Sequence, residues 1–241
     1  MKNKHLYILS AMFLGACATT TSSLGPSSEE IDKTGYLFYQ SSDINLHISE
    51  LKDRLVLPVK EYGVPDYINL LPNAKRAYRS GYHMGVDFSS PINYPIRAAY
   101  DGIVVRSNAH QQDVDIDTYN YFLSLSKQLG KTPEDIYNFI LLGKSIVIDH
   151  GYNITEKYRS ITVYSHLASI SEGLVAGDVV KKGDIIGLSG NTGTSNGALQ
   201  NNKGAHLHWE IFFDDKSGRY FLGQNIPNNI LKQNIELLFI N

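Results

Sequence analysis

Outside one interruption, the chain from Pro91 onward consists of short apolar runs closed by glycine, and this punctuation limits what it can fold into. "PIRAAYDGIVVRS" reads as two short strands about the turn dipeptide Asp101-Gly102. "SIVIDHG", "SITVYSHL" and "DIIGLSG" read as three more. Short strands, glycine turns and few helices predict a mainly β, antiparallel architecture. The interruption is residues 107–143. Within it "DTYNYFLSLSKQLG" carries Tyr119, Phe122 and Leu123 at helical spacing, and Gly130 suits a helix C-terminus. "TPEDIYNFILLG" then offers Thr132 as N-cap, Pro133 at the first helical position and acids in the first turn. A loop of this length without structure is unusual in a compact domain, so a helical hairpin is predicted there. It reads first as extra packing or a passive groove wall, and second as a lid or a docking element for a protein partner.

Chemistry is concentrated in the eight histidines. "GAHLHWE" sets His206 and His208 two apart with Glu210 two further on, so a strand would put all three on one face. In "YHMGVDF", His83, Gly85 and Asp87 likewise share one face of an extended segment, and His83 and Asp87 both reach a single ion. Gly85 leaves the space between them free of a side chain. Two histidines and an aspartate are suitable zinc ligands. Three protein ligands leave a fourth position open, as at catalytic rather than closed structural zinc sites. "VYSHLAS" adds His166 at the end of an apolar run. Glu210 reads either as a group orienting a histidine or as a solvated or packing residue.

Taken in order, His83-Met84-Gly85-Val86-Asp87, Tyr164-Ser165-His166-Leu167 and His206-Leu207-His208 resemble the motif set of the lysostaphin-type, or LytM-like, zinc endopeptidases. The resemblance covers roughly residues 70–213. It implies an antiparallel β-sheet groove domain, with zinc bound by His83, Asp87 and His208. His166 and His206 would be the unligated catalytic pair. The implied substrate is peptide bonds of bacterial peptidoglycan, in stem peptides or cross-links. The alternative is a non-catalytic or self-occluded LytM-like lipoprotein that binds cell wall and activates a separate amidase.

The ends carry a different message. Lys2 and Lys4 precede a short apolar run, and "LGAC" ending at Cys17 resembles a lipobox around the one cysteine of the chain. Residues 1–17 are therefore read as a lipoprotein signal ending in a lipidated Cys17, and 18–30, rich in Ser and Thr, as a flexible tether. Residues 31–72 form an N-terminal extension in which "YLFYQ" and "LVLPV" suit strands and "DINLHISELKDRL" a short helix. The peptidase domain is placed at 73–241, with the insertion at 107–143. The expected location is the cell envelope, lipid-anchored and facing periplasm or wall.

A net charge of −2 without a dense basic cluster argues against a nucleic-acid partner. Lys75, Arg76 and Arg79 read either as one end of the cleft or as a solvated loop. Two other motifs fail on inspection. "FILLGKS" lacks the phosphate-loop glycine, its place taken by Asn138, and "GLSGN" ends in Asn191 where a serine-hydrolase elbow needs glycine.

Overall fold

The structure is a computed structural model that describes residues 31–240. The lipobox, Cys17 and the tether lie outside the described residues. No helix among the described residues is long and apolar enough to cross a membrane.

An N-terminal hairpin, β1 (Tyr36–Tyr39) with β2 (Asn45–His47), opens the described chain. The expected helix over "DINLHISELKDRL" is instead strand β2 followed by one 3₁₀ turn at Ile48–Glu50. Burial decides this: Leu46, Ile48, Leu51 and Leu55 all enter the main core, which a single helical face could not achieve at this spacing. A short ribbon, β3 (Lys75–Arg76) with β4 (Gly81–Tyr82), leads to β5 (Val86–Ser89).

The rest is antiparallel β, as expected, but its strands are dealt into two sheets. The strands are β6 (Pro95–Arg97), β7 (Gly102–Ser107), β8 (Ile146–Gly151), β9 (Arg159–Ser165), β10 (Leu167–Ile170), β11 (Val179–Val180), β12 (Ile185–Ser189), β13 (His206–Asp215) and β14 (Gly218–Phe221). The larger sheet runs β11-β7-β8-β9-β13-β14, with β5 also paired to β13; the smaller runs β10-β12-β6. Asp101-Gly102 is therefore not a hairpin turn. The chain passes there from the small sheet to the large one, and "GDVVKKGD" makes the matching crossing, so β6 pairs β12 and β7 pairs β11. The Asp101 carboxylate accepts from the Lys182 backbone N–H at 2.7 Å and fastens the two crossings together.

β13 organises the molecule. Leu207, Trp209, Ile211 and Phe213 point into the main core with Phe38, Phe88 and Tyr158. The alternate face carries His206, His208 and Glu210. The insertion covers that face. Its first helix, α1 (Ile116–Gln128), is capped by Asp115, which accepts from the N–H groups of Asp117 and Thr118, and Gly130 follows at φ 69°. A short helix α2 (Glu134–Ile136) runs directly into a π-helical turn, Tyr137–Leu141, in which the Leu142 N–H reaches back to the Tyr137 carbonyl. Thr132 is not its cap. Pro133 takes that place, and the Thr132 hydroxyl bonds Arg79 instead. Tyr119, Ile136 and Leu141 form a second small core with Ala198 of α3 (Ser195–Ala198). A C-terminal helix, α4 (Asn228–Glu236), which no expectation included, buries Leu231 and Ile235.

His150 is 1% exposed, with Nδ1 2.7 Å from the Asp101 carbonyl and Nε2 2.7 Å from the Thr162 hydroxyl. Substitution by alanine strands both partners and should cost about 1–3 kcal/mol in urea unfolding at pH 8. Burial lowers the His150 pKa below its ordinary 6.5. The unfolded chain then takes up the proton first, so this contribution is complete above pH 6.5 and shrinks as the pH falls toward the folded value. The difference between parent and His150→Ala should narrow at pH 5.5.

Candidate metal centre

Three neighbouring strands bring the site together. In the register, His208 on β13 faces Asp87 on β5 from one side and Ser165 on β9 from the other. β9 ends at Ser165, and the next residue, His166, has its backbone in the left-handed region at φ 61°. A non-glycine residue there is strained, and the strain turns the chain from the large sheet into β10 of the small one. The side chain at this corner faces the β13 histidines, with ring centroids 4.7 Å from His206 and 5.6 Å from His208.

His83, Asp87 and His208 converge on one point, and all three are buried. His83 Nε2 lies 2.9 Å from Asp87 Oδ1 and 3.0 Å from His208 Nδ1, and the third edge of the triangle is 2.8 Å. Ligands of a tetrahedral zinc at ~2.0–2.1 Å stand about 3.3 Å apart, so a modest opening of this triangle accepts the ion. The far nitrogens decide the tautomers. His83 Nδ1 donates to the Leu71 carbonyl at 2.9 Å, and His208 Nε2 donates to Glu210 Oε1 at 2.9 Å. Two imidazole lone pairs and a carboxylate oxygen therefore face one another with no donor of their own between them. Such a set needs a cation.

Without a metal ion a proton can fill that place. Burial pushes the His208 pKa down, but hydrogen bonds to Asp87 and Glu210 outweigh it and raise it to about 9, so Nδ1 would then carry a proton toward Asp87 that a bound metal ion would displace. Burial pushes Asp87 up, and the neighbouring imidazoles more than reverse it, holding the carboxyl well below its usual range. Arg76 adds a bond from Nη2 to Asp87 Oδ2 at 3.4 Å.

His166 and His206 stand beside the triangle and outside it. His166 Nδ1 donates to the Thr192 carbonyl at 2.7 Å, and His206 Nδ1 donates to the Gly204 carbonyl at 2.8 Å. Both rings thus keep Nε2 as the free nitrogen, and that of His206 is 3.8 Å from Asp87 Oδ1. Burial, with positive charge on His206 and His208, lowers the His166 pKa well below 6.5.

Gly85 is explained differently from its sequence reading. A Cβ there would press on the Trp209 carbonyl oxygen and come within 3.0 Å of Glu210 Cγ and His208 Cε1. The glycine lets this segment lie against β13. Glu210 is 1% exposed and bonded to His208, so its orienting role is the one realised. The basic residues ahead of the first motif divide. Lys75 is exposed, whereas Arg76 and Arg79 line a cavity of 490 Å³ shared with all five site residues. Tyr119 and Leu123 of α1 wall the same cavity. Tyr137, to which no sequence reading gave a role, donates its hydroxyl to Glu210 Oε1 and stands 3.4 Å from His208 Nε2.

An antiparallel β domain with a buried His-Asp-His set and two further imidazoles defines the class of a metallopeptidase-like fold. The model of peptidase family M23 matches residues 81–219, and the chain belongs to that family. An uncharacterized metalloprotease of Buchnera aphidicola is 31% identical over 56% of this chain and 24% of its own length. The peptidoglycan DD-endopeptidase ShyA of Vibrio cholerae is 29% identical over 64% of this chain and 24% of its own. The chain thus spans about a quarter of the length of these curated relatives. Among solved structures, the catalytic domain of lysostaphin from Staphylococcus simulans is 22% identical over 71% of this chain and 88% of its own, with a TM-score of 0.36.

Proposed function

We propose that this chain is a zinc-dependent endopeptidase acting on the peptide cross-links or stem peptides of bacterial peptidoglycan. The observation that carries the reading is the convergence of His83 Nε2, Asp87 Oδ1 and His208 Nδ1, all three residues buried, on one point. Membership of family M23 supports peptide-bond hydrolysis, and the activity named for the Vibrio cholerae relative supports the substrate class. A zinc ion held by this triangle supplies a water of lowered pKa and a Lewis-acid contact for the scissile carbonyl. His166 and His206 each offer Nε2 for proton transfer, fixed in that orientation by the Thr192 and Gly204 carbonyls. One takes a proton from the attacking water and the other gives one to the leaving amine. The cavity beside these rings is where we place the peptide, with Arg76 in its lining for a substrate carboxylate. We place the chain in the cell envelope, anchored by a lipid on Cys17, on the strength of the "LGAC" run alone.

The reaction is tested on a purified cross-linked muropeptide dimer in ¹⁸O-labelled water. Each cut should release two products, one carrying a single ¹⁸O in a new carboxylate, and a chelator should stop it. Label in a sugar end, or no label at all, contradicts the proposal.

A further inference from the structure

The insertion does more than wall the cleft. Its π-helical turn carries Tyr137 onto the β13 face, 73 residues away in sequence from Glu210. Glu210 Oε1 accepts both from that hydroxyl and from His208 Nε2. A π-turn inside a helix moves one side chain out of helical register, and such turns are common at functional sites. Here Tyr137, the first residue of the turn, is the one that reaches Glu210.

The tyrosine ring is itself held. Arg79, 7% exposed, lays its guanidinium 5.3 Å from the ring centroid. Its Nη1 donates to the Thr132 hydroxyl at 3.0 Å and Nη2 to the Tyr82 carbonyl at 2.9 Å. The Thr132 hydroxyl returns a bond to the Arg79 carbonyl at 2.8 Å. Ile136 and Leu141, on either side of Tyr137, anchor the turn in the small core. A passive wall needs only apolar contact. A hydroxyl set against a buried carboxylate makes a charge-assisted bond and fixes where that carboxylate points.

We propose that Tyr137 is a positioning residue of the metal centre: with Glu210 it fixes the His208 ring so that Nδ1 faces the metal. The insertion is then a built part of the site. This rests on the zinc reading given above. Loss of activity on deleting the insertion would therefore not by itself show a lid, because Tyr137 goes with it.

The test measures metal, not turnover. The full chain, purified in detergent and stripped of metal, is titrated with zinc against a chromophoric chelator, and in parallel with cobalt(II), whose visible absorption reports ligand geometry. The variants are Tyr137→Phe, Glu210→Gln and His208→Ala. Loss of a hydrogen-bond partner behind a metal ligand costs roughly 10–100-fold in affinity. Tyr137→Phe should weaken zinc about 10-fold and shift the cobalt spectrum. Glu210→Gln, which keeps the volume of the side chain, should do at least as much. An unchanged zinc affinity and cobalt spectrum in Tyr137→Phe, with His208→Ala losing the site, overturns this proposal and spares the zinc reading. Weaker zinc with an unmoved cobalt spectrum and a lower melting temperature assigns Tyr137 a purely structural role and also overturns it. A parent chain that binds no zinc tightly overturns both.

Discussion

His208→Ala is expected to lose tight zinc binding and hydrolysis together. His208 lies on the central strand, and its Nδ1 supplies two edges of the ligand triangle, at 2.8 and 3.0 Å. Two remaining ligands do not hold a zinc ion against water at ordinary concentrations. Without the ion the reaction loses its activated water and its carbonyl contact, together worth several kcal/mol, so the rate should fall on the order of 10³-fold or more. The substitution also leaves the buried Glu210 carboxylate with Tyr137 as its one remaining named partner, so a lower melting temperature is expected beside the loss of metal. Zinc content after gel filtration and turnover of the muropeptide dimer are the two readings. A variant that retains one zinc per chain refutes the ligand assignment.

The second large effect separates proton chemistry from metal binding. His206→Ala should keep zinc within a few-fold of the parent and lose about 10²–10⁴ in rate. The same holds for His166, but alanine is a poor choice there because the backbone is left-handed at φ 61°. His166→Asn is the better substitution, since asparagine tolerates that conformation. Each variant then removes one Nε2 while the triangle stands. Full turnover in either would show that the proton carrier lies elsewhere.

How much of this was legible in the sequence depends on the kind of contact. Period-two alternation reports which side chains share a face, so His206, His208 and Glu210 could be placed together from "GAHLHWE" alone. It does not report which strand pairs with which. "PIRAAYDGIVVRS" looked like a hairpin because both halves are strands and the middle is a turn dipeptide. The pairing is instead with residues 179–189, some eighty positions away, which no local pattern encodes. The motif marks His166 as a candidate, but not as the strained corner that divides "SITVYSHL" between two sheets. Tyr137 was invisible for a related reason. Its partner Glu210 is far along the chain, so no local pattern pairs the two. Glycine shows a third limit. The sequence marks Gly85 as a position without a side chain, and only the packing against Trp209 shows what that absence accommodates.

The proposed activity requires metal-dependent cutting of the wall. Purified sacculi are incubated with the full chain in detergent, with the chain plus chelator, and with the chelated chain given zinc again. Soluble muropeptides are then weighed by mass spectrometry. Loss of cross-linked species that the chelator stops and zinc restores is the predicted result. Release that is indifferent to chelator, or no release from a chain shown to hold one zinc, would contradict it.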